Sequence, residues 1–224
     1  MSSGVSVYVI GLTGNVATGK SVVAAMLARL GAEVVDADRL AHSVMAAGAP
    51  AHRAIVARFG AGVLEPTGEI DRRALGEMVF RDAAALADLE RIVHPDVVAE
   101  TLCRLAASTR PVAVVEAIKL VEADMHQHCQ AVWVVTSPRR LQLARMVAAR
   151  GLTPAQAALR IDAQPPQEEK MARATAVIDN AGDLGTTWRQ VLRAWNAIPG
   201  VSAVPVRTPW PPPESFGAME QGAP

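Results

Sequence analysis

Cysteine, lysine and aromatic residues are all scarce in this chain of 224 residues. Cys103 and Cys129 are its only thiols, too few and too separated for a disulfide framework or a zinc knuckle, so a reducing, cytoplasmic compartment is expected. No apolar run approaches the roughly 20 residues that span a bilayer. The opening Met1-Ser2-Ser3-Gly4 has neither the basic region nor the cleavage site of a signal peptide. Basic and acidic residues balance at 22 each, which speaks against broad affinity for nucleic acid or a membrane surface. Lysine is limited to Lys20, Lys119 and Lys170 in an arginine-dominated chain. A lysine kept against that bias points to a place where a slender ammonium is needed and a planar fork is not.

Lys20 stands in such a place. Gly14 to Ser21 reads Gly-Asn-Val-Ala-Thr-Gly-Lys-Ser, a complete G-x-x-x-x-G-K-[ST] phosphate-binding loop. Its glycines let main-chain N–H groups of Asn15, Val16, Ala17 and Thr18 curl around a polyphosphate, and the donors continue through Gly19 to Val22. Lys20 reaches the β- and γ-phosphates, and the Ser21 hydroxyl can ligate Mg²⁺. The apolar run Val7–Leu12 enters as a buried strand would, and Val22–Leu30 leaves as a helix, so a helix N-terminus faces the anion. ATP and Mg²⁺ are the cofactors this implies.

Short apolar runs alternate with longer amphipathic ones, the pattern of an α/β fold with a parallel sheet wrapped by helices. Strands are expected at 7–12, 33–36, 112–116, 131–136 and 176–178. Between Asp36 and Val112 the sequence reads as helices at 39–47, 51–59, 72–80 and 83–107, the last containing Pro95. That strand-free stretch suggests a helical acceptor-binding domain over residues 41–107, set into a nucleotide-binding core of residues 5–40 and 108–200; plain helical packing on the sheet is the alternative. Ser137 followed by Pro138 reads as an N-cap and first helical residue. The arginine-rich helical pair across 138–173 resembles a lid. Residues 201–224, rich in proline, are expected to be disordered.

Asp36-Ala37-Asp38 follows the second strand, where open α/β sheets bind ligands. One carboxylate could take a proton from an attacking hydroxyl while the other holds Mg²⁺ or its water. Asp at a helix start is also a favoured N-cap, and one Asp can serve both purposes. His94, before Pro95, is read as structural or substrate-positioning ahead of catalytic. His126 and His128 do not share a helical face and are read as surface residues. Glu116 closes its strand where a metal-organising acid would sit.

These residues carry a specific resemblance. Ile10–Gly14 into the loop, Val35–Asp38, Val93-His94-Pro95, Leu120-Val121-Glu122, Arg160–Gln164 and Val177–Gly182 occur in order between about residues 7 and 198, and together they resemble the dephospho-CoA kinase family. The resemblance implies a five-stranded P-loop core with a CoA-binding helical domain and lid, and ATP-dependent phosphorylation of the ribose 3′-hydroxyl of dephospho-CoA. It makes Asp38 the expected general base beside Lys20, with Asp36 a second candidate or Mg²⁺ partner. It implies an ATP contact from Asn180, and substrate contacts from His94, Glu122 and His42; Arg145 and Arg150, on the first lid-like helix, suit phosphate clamping by their bidentate geometry and fixed charge.

Three positions depart from the family pattern. Asn15-Val16-Ala17-Thr18 stands where a further glycine is usual, His42 where an arginine is common, and Ala117-Ile118-Lys119-Leu120 where a Pro-Leu-Leu-like segment is usual. His42 could touch a substrate phosphate only weakly and when protonated, and Lys119 either contacts phosphate or faces solvent. A nucleoside or shikimate kinase on the same scaffold is the alternative. A GTPase is disfavoured by the absence of Asn-Lys-x-Asp.

Overall fold

The computed structural model describes residues 7–206 and Trp210, and only the backbone of Arg150. Five strands, β1 (Tyr8–Thr13), β2 (Glu33–Asp36), β3 (Val112–Glu116), β4 (Ala131–Thr136) and β5 (Ala176–Asp179), form one parallel sheet in the order β2-β3-β1-β4-β5. Among the described residues, no helix is long and apolar enough to cross a membrane.

The chain divides into two compact units. The first contains β1 and Gly31–Ala131. Its core is β3, whose residues are all buried because it lies between β1 and β2 and is covered on both faces. The strand-free stretch forms α2 (Ala37–Val44), α3 (Pro50–Phe59), α4 (Arg72–Phe80) and α5 (Ala83–Ala107). Asp36, Asp71 and Asp82 cap α2, α4 and α5 by accepting N–H groups of the first turn, each worth about 0.5–2 kcal/mol. Residues 41–107, the expected acceptor-binding stretch, lie within this first unit.

Gly14–Leu30 and the chain from Val132 onward form the second unit. It holds α1 (Lys20–Arg29), α6 (Arg139–Arg150), α7 (Pro154–Asp162), the short α8 (Gln167–Met171) and α9 (Leu184–Asn196). Helix α6 starts one residue later than expected, with Pro138 as its N-cap and no side-chain capping bond. Ser137 does not cap it, because its hydroxyl accepts Arg145 and its carbonyl accepts Gln142. Helix α9 buries Trp188, Val191, Leu192 and Trp195 along one stripe.

The beginning of the proline-rich tail is held. Asn196 exchanges two 2.8 Å hydrogen bonds with the Val204 backbone. Trp210 lies 4.9 Å, centroid to centroid, from Trp188, with the Arg29 guanidinium over its ring. Residues 207–209 and 211–224 of that expected disordered segment lie outside the described residues.

Candidate active site

The phosphate-binding loop begins where β1 stops. Gly14 has φ +147° in a close approach to β4, and a Cβ there would run into the Val135 carbonyl oxygen. Ala17 takes φ +58°, a left-handed conformation costing roughly 1–2 kcal/mol for an L-residue. Its surroundings supply the compensation. Val16 is buried with Met146, Ala157 and Ile161 of α6 and α7, and burying a valine contributes about 1.5–3 kcal/mol. Gln164 Oε1 accepts the Val16 N–H at 2.7 Å, and Gln167 Oε1 accepts the Asn15 N–H at 3.4 Å. The Asn15 side chain donates to the Pro165 carbonyl.

Arg145 and Asn180 hold the other side of the loop. The Arg145 guanidinium donates to the carbonyls of Ala17, Thr18 and Asn180 and to Ser137 Oγ, at 2.7–3.2 Å. Asn180 donates its amide to Thr18 O at 2.9 Å and accepts the Thr187 hydroxyl. Both residues, expected at the nucleotide, hold carbonyls of the loop itself. Asn180 also packs so closely on Gly19, at φ +95°, that a Cβ there would run into its amide nitrogen. Arg150, expected to contact ATP, has its side chain outside the described residues.

Gly19 is the N-cap of α1, without a side-chain capping bond, and the first turn carries no acid. Main-chain donors and the positive end of the helix dipole are therefore left for an anion. The Ala17 and Gly19 N–H groups donate to no acceptor among the described residues. Lys20 is buried at the first helical position, with exposed Ser21 and half-buried Val22 following.

The first unit presents carboxylates and a cleft. In the β-register Glu116 is opposite both Leu12 and Asp36, so β1, β3 and β2 end at one level, with β1 and β2 about 10 Å apart across β3. Asp36 spends one oxygen on the Arg39 N–H at 2.9 Å, so it is the cap that the sequence left open. Asp38, in the first turn of α2, accepts the Ile118 N–H at 3.3 Å. Asp38 also borders a cleft of about 330 Å³ that includes His42, Glu90, His94 and Lys119 on a mainly apolar lining.

Lys119, whose partner the sequence left open, forms an ion pair with Glu90. His42 has its pKa lowered by partial burial and by the Arg72 guanidinium, against the opposing carboxylates of Asp36 and Asp38. Both effects disfavour the protonated form that a phosphate contact would need. Glu122 is exposed and does not line this cleft. His126 and His128 belong to a short 3₁₀ turn; no cluster of three metal-ligating side chains exists among the described residues.

Gln164 and Gln167 are the site residues that sequence reading did not assign. Gln164 sits in the Arg160–Gln164 stretch, and its position after a helix gave no sign that it grips a loop 148 residues earlier.

A family model described as dephospho-CoA kinase matches residues 8–185. The chain is 46% identical over 190 residues to the dephospho-CoA kinase of Geobacter sulfurreducens, covering 84% of this chain and 96% of that one. It is 43% identical over 195 residues to that of Symbiobacterium thermophilum, covering 86% and 82%. A solved dephospho-CoA kinase from Campylobacter jejuni superposes with TM-score 0.61 at 27% identity, over 83% of this chain and 94% of the other. A Thermus thermophilus crystal structure gives TM-score 0.69 at 33% identity, over 84% and 95%. A phosphate-binding loop with an open helix N-terminus, paired carboxylates at a strand end and this extent of likeness lead to one conclusion: the chain belongs to the dephospho-CoA kinase family.

Proposed function

We propose that catalysis in this family member divides between the loop at Gly14–Ser21, which holds the ATP phosphates, and Asp38, which accepts the proton of the ribose 3′-hydroxyl of dephospho-CoA. The 3′-oxygen forms a bond to the γ-phosphorus as the bond from that phosphorus to the β,γ-bridging oxygen breaks, leaving ADP; the hydroxyl proton passes to the Asp38 carboxylate. Phosphoryl transfer asks a protein mainly for positioning and charge. Lys20 supplies charge at the β- and γ-phosphates, and Ala17 and Gly19 offer main-chain donors.

The observation that carries the reading is the common level of Leu12, Glu116 and Asp36. The loop leaves β1 two residues after Leu12 and α2 leaves β2 directly after Asp36, so both emerge from the same end of the first unit's strands. Asp38 borders the cleft there, which has the mainly apolar lining and few polar groups of a small-molecule site.

Mg²⁺ belongs to the same proposal. It prefers hard oxygen ligands and needs only one or two from protein beside phosphates and water; the Ser21 hydroxyl and the Asp36 carboxylate fit that requirement. When bound it neutralises charge on the β- and γ-phosphate oxygens. His94, in the cleft, is a substrate-positioning residue. A cytoplasmic setting is supported by the two free cysteines.

The test is a panel assay: ATP and Mg²⁺ with dephospho-CoA, adenosine or shikimate as acceptor. Turnover is expected with dephospho-CoA. Turnover with shikimate alone would sink the proposal.

A further inference from the structure

Dephospho-CoA carries a 5′-diphosphate on the same ribose that presents the reacting 3′-hydroxyl. With that hydroxyl at Asp38, a polyanion must lie close by on the acceptor side, and the cations of the main cleft are already engaged. Lys119 is paired with Glu90, and burial followed by Arg72 disfavours the charged form of His42.

A second cavity, of about 450 Å³, shares His42 and Met45 with the main cleft and continues to Arg72 and Arg73 at the start of α4. Asp38 and His42 are four residues apart on α2, so they lie on one face, about 6 Å apart along the helix axis. The path from the reacting hydroxyl past His42 therefore leads toward these two guanidinium groups. Both arginines are exposed, and neither enters an ion pair among the described residues. The cavity also has three carboxylates. Glu69 accepts the Ala47 N–H, and Asp71 accepts the Arg73 and Ala74 N–H groups. The third, Glu65, is exposed.

We propose that Arg72 and Arg73 form the diphosphate subsite for the acceptor, with His42 lining the way between that subsite and the Asp38 cleft. Guanidinium groups suit the task because their planar donor forks match phosphate oxygens in pairs. This inference rests on the reading of dephospho-CoA as acceptor. It adds that substrate selection on the acceptor side is made by charge at α4, away from the reacting oxygen.

The experiment compares wild type with Arg72→Ala, Arg73→Ala and Arg72→Lys. Titration calorimetry gives the Kd of dephospho-CoA and of adenosine, which has the same ribose and base without the diphosphate; steady-state assays give KM for ATP. Arg72→Ala is expected to raise the Kd of dephospho-CoA at least tenfold, with the adenosine Kd and the ATP KM within twofold of wild type. Arg73→Ala is expected to lose less, and Arg72→Lys to recover part of the affinity by charge alone. An unchanged dephospho-CoA Kd in both alanine variants overturns the subsite. Equal losses for dephospho-CoA and adenosine overturn it too, because they mean damage to the cleft. Failure of the wild type itself to bind dephospho-CoA is a different result, and it rejects the acceptor assignment.

Discussion

The side-chain oxygen of Gln164 accepts the main-chain N–H of Val16 at 2.7 Å, which ties the turn after α7 to the phosphate-binding loop. The same segment reaches that loop through Pro165 and Gln167, and Gln167 also donates to the Val135 carbonyl at the end of β4. The helical pair expected to serve as a lid thus helps to set the loop's conformation. A movement of α7 and α8 would disturb main-chain donors of the loop, so the position of these helices and the loop's shape are coupled.

That coupling predicts different outcomes for two changes at one position. Gln164→Ala leaves a partly buried N–H without its partner, a loss of about 1 kcal/mol or more that urea unfolding measures. Gln164→Glu keeps an acceptor but adds negative charge beside a polyphosphate site. Stability should then stay closer to wild type, while KM for ATP rises about tenfold, equivalent to ~1.4 kcal/mol. If Gln164→Glu leaves KM for ATP unchanged, the bond is structural and remote from the nucleotide.

The two aspartates should separate in the same way. Asp36 caps α2 through the Arg39 N–H, so Asp36→Ala is expected to cost about 0.5–2 kcal/mol, visible as a lowered Tm. Asp38→Asn preserves an oxygen for the Ile118 N–H and should unfold like wild type. It should retain ATP binding and lose about 10²–10⁴ in kcat, the usual contribution of a general base. Wild-type kcat with dephospho-CoA would remove Asp38 from that role.

Local signals were legible in the sequence. The expected bounds of β2, β3 and β4 match the structure, as do those of α4 and α5, because each element has its own period and a clear stop. The cap at Asp36 was one of the two readings its sequence position left open. Helix α9 was not read, although Asp183 accepts the Thr186 N–H and its apolar positions recur at 188, 191, 192 and 195; that signal was present and overlooked. Ser137 misled because tertiary partners outcompeted the local cap, its hydroxyl being taken by Arg145. Arg145 and Asn180 were singled out, but their hold on loop carbonyls could not be read, since it joins residues 127 to 162 positions apart. His42 departs visibly from the family pattern; that burial and then Arg72 lower its pKa is a product of folding.

His42 offers a pH test of that environment. Partial burial, then Arg72, lower its pKa from the ordinary 6.5, and Asp36 and Asp38 only partly offset them. The unfolded chain therefore takes up the His42 proton at higher pH than the folded one. Its contribution to stability is complete above pH 6.5 and is lost as pH falls through the folded-state pKa. NMR titration of the imidazole should give a midpoint below 6.5, and Arg72→Ala should move it up while burial keeps acting. A midpoint unmoved by Arg72→Ala would mean that the guanidinium does not approach the ring in solution.

The two thiols should differ sharply in reactivity. Cys129 is half-buried, donates to the Met125 carbonyl at 3.6 Å, and is pushed by burial up to about 12. At pH 8 only about one molecule in ten thousand would then hold the thiolate that alkylating reagents attack. Cys103 is exposed on α5. Iodoacetamide at pH 8, followed by peptide mass analysis, should label Cys103 on the native protein and leave Cys129 nearly untouched, with both labelled in urea. Since Cys103 does not line the Asp38 cleft, the singly labelled protein should keep its kinase activity. Labelling of native Cys129 at a rate like that of Cys103 would mean that the segment between Met125 and β4 opens readily, exposing the thiol to solvent.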